Sequence, residues 1–363
     1  MKKSVLLLAA LMPFVMFSCE KEKAEKGSDD IVGSDGKYLV KKMTFQGTLG
    51  GNYAYTDNRG KLTQKVDATL NFSYIKGKMS RLDASGTYSY VDDWEEFYEG
   101  NTTKYYDEEN YKGNGNIKFA YKDDRVEAKI TAQGRVWGTY IDEGDNENNR
   151  TWEEHGSLSG TYTFSMDDGI AISGCGTFKE DANSESYNTD EIKFGYDDNE
   201  QLTSVHYADD DGRMEFKWKD GNIENIGWFY DDDYYYKKGS KSIIRSLLAK
   251  KKTPMTKFGS VGWENWVRVE YSPKENKSNI DFSRLIFAYI SGEYVESNIG
   301  VFGFTGKESK NLPSTVYVDD EPALSFEYEF NENGAVTRIK LIAGPYFDNV
   351  ELEIATATIN IEY

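Results

Sequence analysis

One small unit recurs along this chain. An aromatic pair at period two enters a polar turn, and a strand with apolar residues leaves it. The unit occurs twice between Asp190 and Tyr236. Phe194-Gly-Tyr196 runs into Asp197-Asp198-Asn199 and then Leu202 to Val205; Phe216-Lys-Trp218 runs into Lys219-Asp220-Gly221-Asn222 and then Ile223 to Ile226. Alternation on both sides of an Asn/Asp/Gly turn reads as a β-hairpin, because those residues most readily take the backbone angles of tight hairpin turns. The same unit appears as Phe72 and Tyr74 before Ile75-Lys-Gly-Lys78, and as Phe119 and Tyr121 before Lys122-Asp123-Asp124. It appears again as Tyr162 and Phe164 before Met166-Asp-Asp-Gly169, and as Phe326, Tyr328 and Phe330 before Asn331-Glu-Asn-Gly334. The leading aromatics, at 72, 119, 162, 194, 216 and 326, follow no constant step, which excludes a fixed-period solenoid. The fold class expected is all-β: a long antiparallel hairpin meander forming a strongly curved sheet or open barrel.

Composition supports a folded chain rather than a disordered one. Hydrophobic residues make up only 38% of the 363 residues and mean hydropathy is −0.69, yet aromatics reach 15%. Each aromatic buries a large area, and Tyr and Trp keep a polar handle, so fewer apolar residues can close a core. The formal charge of −19 disfavours nucleic acid as a partner. The two histidines, His155 and His206, leave little material for a zinc site or a histidine base. No Gly-x-Ser-x-Gly elbow, HExxH or P-loop is present. The expectation is a protein that is not an enzyme and uses no cofactor.

Residues 1–18 read as a secretion signal, with Lys2 and Lys3 followed by an apolar run from Val5 to Phe17. Met16-Phe17-Ser18-Cys19 resembles the bacterial lipobox, with Phe17 standing where a small residue is usual. By that resemblance Cys19 is lipidated and holds the chain to a membrane. Residues 19–36 read as a flexible tether. Glu20-Lys21-Glu22 partly resembles the signal that sends Bacteroidetes lipoproteins to the cell surface, although Lys23 stands where a second acid is expected. The location implied is the cell envelope, as an outer-membrane lipoprotein exposed at the surface, with a periplasm-facing anchor as the alternative. With Cys19 lipidated, Cys175 has no partner for an intrachain disulfide and reads as a small strand residue.

The antiparallel meander is expected over 37–240, with Gly50-Gly51 as one of its turns. Residues 241–254 read as a short amphipathic helix or joint, with apolar positions at 243, 244, 247 and 248, lysines at its end and Pro254 as the stop. C-terminal hairpins over 255–363 would complete the sheet. The insertions Asp92–Gly115 and Ile141–Gly156 are acidic and rich in Asn, and read as long loops.

Asn279-Ile-Asp-Phe282, then Gly306-Lys-Glu-Ser-Lys-Asn-Leu-Pro313, then Phe326-Glu-Tyr-Glu-Phe330 resemble a family of Bacteroidetes lipoproteins of unknown function. The resemblance covers roughly residues 190–363. It implies a porin-like β fold and assigns no catalytic or binding residue. The terminal alternation from Ala355 to Tyr363 also suits an outer-membrane barrel strand. Alternating strands equally suit a soluble sheet with one wet face, which is the preferred reading.

Two kinds of site remain. Trp94 and Trp152 sit among polar residues, and with Tyr234 and Tyr235 they are candidates to stack on sugar rings; Trp137 and Trp228 lie in alternating runs and read as core. Asp209, Asp211 and Glu215 offer oxygens for Ca²⁺, although acidic residues also serve tight turns. The function expected is an acylated, non-enzymatic binding module for glycan or another extracellular ligand. The alternative is a structural or adaptor lipoprotein partnering another envelope protein. A glycoside hydrolase comes third, since it needs two carboxylates set across a sugar and spacing in sequence does not place them.

Overall fold

The computed structural model describes residues 32–363 except 34–35, 55–57, 99–100, 182–183, 190, 208–212, 230–266, 285–302, 319, 345 and 348–349. The secretion signal, Cys19, Asp209, Asp211, Tyr234, Tyr235 and the expected helix at 241–254 lie outside the described residues. The first strands are β1 (Lys42–Ala54), β2 (Asn58–Ile75), β3 (Lys78–Tyr98), β4 (Asn101–Tyr121), β5 (Arg125–Asp142) and β6 (Arg150–Asp167). Next come β7 (Ile170–Glu180), β8 (Ser186–Asn188), β9 (Ile192–Tyr196), β10 (Leu202–Tyr207), β11 (Arg213–Lys219) and β12 (Asn222–Phe229). The last are β13 (Val267–Glu275), β14 (Asn311–Val318), β15 (Glu321–Phe330), β16 (Val336–Ala343), β17 (Tyr346–Phe347) and β18 (Val350–Glu362).

All pairings between these strands are antiparallel, and the sheet closes on itself. β18 pairs with both β16 and β1, Lys42 lying opposite Glu362. The closed ring has sixteen strands; β8 adds to β7, and β17 to β18. The strongly curved meander is therefore present, and its curvature runs to full closure. Gly50-Gly51 is not a turn: β1 runs through it, and the register against β18 shifts there. Most of the insertions expected as loops are strand; among their described residues 143–149 form a loop, with a 3-10 turn at Asn146–Asn148. β3 and β4 pair without a break from Arg81–Lys118 to Tyr98–Asn101, and β5 and β6 pair from Arg125–Ser165 to Tyr140–Arg150.

The polar turns reverse the chain as read from sequence. Lys76-Gly77, Asp168-Gly169 and Asp220-Gly221 each have two successive positive φ angles (52° and 76°, 45° and 87°, 52° and 80°). That is the two-residue turn whose twist matches a hairpin's strands. Asp197 instead folds its turn by accepting the amides of Asn199 and Gln201 on one carboxylate oxygen, and Asn331 does the same for Asn333 and Ala335.

These turns all lie at one end of the barrel, together with the N-terminal segment and Tyr363. The recurring aromatics are the inward-facing residues just before that end. Their polar tips form a repeated clasp. Tyr74 donates to the Val40 carbonyl, Tyr196 to Ala171, Trp218 to Leu202, Tyr271 to Ile223, Tyr328 to Pro313 and Tyr363 to Val336, at 2.6–3.0 Å. Tyr74, Tyr196, Trp218 and Tyr328 lie at or near the end of a strand, Tyr271 lies within β13 and Tyr363 follows β18; each bonds at or near the start of an earlier strand, which ties neighbouring hairpins together.

A circular barrel of sixteen strands would enclose a channel. Here the described parts of the connection from β13 to β14, residues 276–284 and 303–310, fold inside at the turn end. Ile280, Phe282 and Leu312 are fully buried. Phe304 packs on Phe119, Tyr121 and Phe164, with ring centroids 6.3, 6.5 and 4.9 Å away. Asn279 donates to the Tyr74 hydroxyl and accepts the Val40 amide. Asp281 (0% exposed) and Arg284 (4% exposed), three residues apart on one arm of this inserted segment, form an ion pair at 3.2 Å, and both reach across to the other arm. Asp281 also accepts the amides of Ser283 and Ser309, while Arg284 donates to the Thr305 and Lys307 carbonyls. The Asn279-Ile-Asp-Phe282 motif and Gly306–Lys310 are therefore part of the plug, and Asn311–Pro313 begin β14.

The apolar face points in and the polar face points out. On β2, Ala68, Leu70, Phe72 and Tyr74 are buried while Lys65, Asp67, Asn71 and Ser73 are exposed. Lys61, Lys112, Lys118, Lys129 and Arg135 are likewise exposed on the outer face of β2, β4 and β5. This is the inverse of a lipid-facing wall, where each Lys or Arg near the midplane would cost about 2–4 kcal/mol.

Candidate binding wall

β2 to β6 have 18–21 residues, whereas β9 to β14 have 5–9. At about 3.3 Å per residue the longest strands reach about 70 Å and the short ones about 17–30 Å. Among the described residues, one side of the barrel thus rises as a wall beyond the end opposite the turns. Cross-strand partners share a face, so the register gives the wall's inner face tier by tier. Leu82, Ile117 and Ile130 are still buried core. Above them a tier of glycines, Gly86, Gly113, Gly134 and Gly156, crosses four strands. Higher still the residues are half-buried tyrosines, tryptophans and carboxylates.

Both tryptophans singled out from sequence lie on this inner face, on strands rather than loops: Trp94 on β3 and Trp152 on β6. Trp94 pairs across to Tyr105 on β4 and stacks on it, with centroids 5.0 Å apart and planes 12° apart. It also meets Tyr140 on β5 at 6.5 Å. Arg150 bridges onward, its guanidinium carbon 5.9 Å from the Tyr140 centroid and 5.4 Å from that of Trp152. The result is a diagonal row of rings across four strands. Glycine makes room for each end of it. A Cβ at Gly60, opposite Trp94, would lie 2.6 Å from the Trp94 Cβ, and one at Gly138, opposite Trp152, 2.5 Å from its ring.

Carboxylates stand between the rings. Asp92 and Asp107 are cross-strand partners, and Asp107 is in turn opposite Tyr140. Asp92 accepts hydrogen bonds from the Tyr53 and Tyr90 hydroxyls at 2.9 and 3.2 Å. Burial pushes its carboxyl above the usual range, and the two phenols partly offset that. Tyr105 donates to Glu96 at 2.9 Å, and this bond is the main reason its phenol is pushed up to about 12. Tyr111 donates to Glu109. Tyr140 is raised first by burial and then by Asp142 and Asp107, with Arg150 opposing. Asp142 itself is occupied with the turn above, accepting the amides of Gly144 and Asp145.

The other sequence candidates fall elsewhere. Trp137 is not core: it faces outward on β5, half-buried beneath the Arg135 guanidinium at 4.2 Å, because inner positions of β5 are the even-numbered ones. Trp228 lies on β12. Glu215 on β11 pairs with Arg213 at 2.6 Å. Cys175 is exposed on β7. Tyr105 and Tyr140 were not singled out, since only the register places them beside Trp94.

No protein-family model matches the chain, and no curated protein does. A porin-like protein from Bacteroides vulgatus ATCC 8482 is a structural match at 9% sequence identity, over 90% of this chain and 98% of that chain, with a TM-score of 0.24.

Proposed function

We infer that this protein is an envelope lipoprotein that binds glycan, without turning it over, on the inner face of the wall. The row Trp94–Tyr105–Tyr140–Trp152 is the observation that carries the reading. Flat rings offer area to the C–H faces of sugars, while the phenols and carboxylates between them are donors and acceptors for hydroxyls. The lipid anchor rests on the signal-like residues 1–18 and Cys19. Tyr38 reaches the barrel at the turn end, bonded to the Lys277 carbonyl and packed edge-on to Tyr363 at 5.7 Å. An anchor joined there by residues 19–36, which span at most about 60 Å, holds the turn end toward the membrane and the wall away from it.

The test is titration of a panel of neutral polysaccharides followed by tryptophan emission. Binding that falls at least about tenfold in both Trp94→Ala and Trp152→Ala is expected, in line with loss of an aromatic anchor. No binding by any polysaccharide sinks the reading. Release of reducing ends that Asp92→Asn abolishes would instead make the protein a hydrolase. In cells, Cys19→Ser should move the protein from the membrane to the soluble fraction; unchanged fractionation removes the anchor.

A further inference from the structure

We propose that the wall selects glycans carrying protonated amines over neutral ones and excludes those carrying carboxylates. This rests on the glycan reading and names the ligand class of the same site. Above the glycine tier, the inner face of β3 to β6 presents Asp92, Glu96, Asp107, Glu109, Asp142 and Glu154 against a single cation, Arg150. The imbalance is local to this face. On the outer face of the same strands Lys104, Lys112 and Arg135 stand among Glu95, Glu108 and Glu153, and Arg135 and Lys104 form ion pairs with Glu153 and Glu95.

Three further features make the inner charge effective toward a bound cation. First, three of the carboxylates are held by neutral phenols: half-buried Asp92 by Tyr53 and Tyr90, half-buried Glu109 by Tyr111, and exposed Glu96 by Tyr105. A phenol fixes the position of a carboxylate without cancelling its charge, and at reduced dielectric that charge acts more strongly than in water. Second, the carboxylates reinforce one another. Asp107 lies opposite Asp92, and its negative charge adds to the burial that chiefly raises the phenols of Tyr90, Tyr111 and Tyr140. Third, the electron-rich faces of Trp94, Tyr105, Tyr140 and Trp152 attract an ammonium group on the same surface. An amine on a sugar seated over these rings meets carboxylates where a hydroxyl or an acetamide meets only hydrogen-bonding partners. A uronate in the same place is repelled.

Equilibrium binding of the intact mature protein should be measured with short oligomers of glucosamine, of N-acetylglucosamine and of galacturonate. The pH should be mildly acidic, so that the amine is protonated. The glucosamine oligomer is expected to bind about tenfold more tightly than the N-acetylated one at low salt. That advantage should shrink toward onefold as salt rises, and galacturonate should not bind. In Asp107→Asn the cationic-to-neutral ratio should fall; the panel on the unsubstituted protein stands whether or not that variant folds. Neutral and cationic oligomers binding equally, or galacturonate binding as well as either, overturns the charge selection while leaving the glycan reading in place. Binding of none of the three, together with no response to neutral polysaccharides, overturns both.

Discussion

Gly60 and Gly138 decide where the two tryptophans lie. Each sits opposite its tryptophan in the neighbouring strand, and a Cβ there would lie 2.6 Å from the Trp94 Cβ or 2.5 Å from the Trp152 ring. A side chain at Gly138 would also press on the Glu108 carbonyl of β4, which is backbone and cannot swing aside. Gly138→Ala should therefore push the Trp152 ring out of line with Arg150 and Tyr140. Overpacking of this kind costs about 1–3 kcal/mol. The expected outcome is a lower urea midpoint, a changed tryptophan emission and weaker glycan binding; native emission and affinity would show that the ring has room. Trp94 and Trp152 were visible in the sequence because large rings among Asp, Glu and Asn are conspicuous. Tyr105 and Tyr140 were not, because nothing in the linear sequence says that position 105 lies beside 94 and near 140. Trp137 was misread for the same reason: its place in an alternating run does not say which parity faces in.

The hairpin is the element that sequence reads well here, and the long arm is the one it reads badly. Lys76-Gly77, Asp168-Gly169 and Asp220-Gly221 carry their turn geometry in their residue types, and the buried aromatic before each turn marks the inner face. On Asp92–Tyr98, Asn101–Asn110 and Arg150–Gly156 both faces of the sheet are half-buried or exposed. No apolar period remains there, so an acidic stretch of extended strand looks like a loop. The plug was legible only as a motif. Its physical basis is Asp281, which accepts the amides of Ser283, Arg284 and Ser309 and pairs with Arg284 in full burial. Removing one member of such a pair strands the other without compensation. Asp281→Ala should cost about 3–5 kcal/mol and detach the 304–310 arm from the barrel interior. Chemical denaturation followed at Phe304-adjacent positions checks this, and a loss below about 1 kcal/mol, the range of an exposed ion pair, would mean that the pair is not what holds the plug.

At the scale of the whole barrel, closure joins Lys42 to Glu362, two residues 320 apart, and no local pattern could announce it. What the sequence did announce was the tyrosines, twenty-seven of them, and their burial gives the molecule a predictable response to alkali. Tyr74, Tyr121, Tyr196, Tyr271 and Tyr328 are all raised from the usual 10.0, in each case first by burial. Tyr363 is pushed up to about 12 for the same reason. At neutral pH these phenols are protonated in both the folded and the unfolded chain and add no pH dependence. Above pH 10.0 the unfolded chain releases its phenolic protons first, so it binds fewer protons than the folded barrel. Stability must then fall as pH rises, starting at the unfolded value and continuing through the raised folded ones. The clasp makes the loss collective, because five of these tyrosines donate to a carbonyl at or near the start of an earlier strand and an ionised phenol cannot donate. Tyrosinate absorbance and tryptophan emission followed together through an alkaline titration should therefore show two phases. Exposed phenols ionise first without a change in emission, and the buried set then ionises in one steep step that coincides with unfolding. A smooth titration of every tyrosine near pH 10.0 with native emission throughout would show that the clasp rings are open to water and that the barrel is not held together at its turn end in this way.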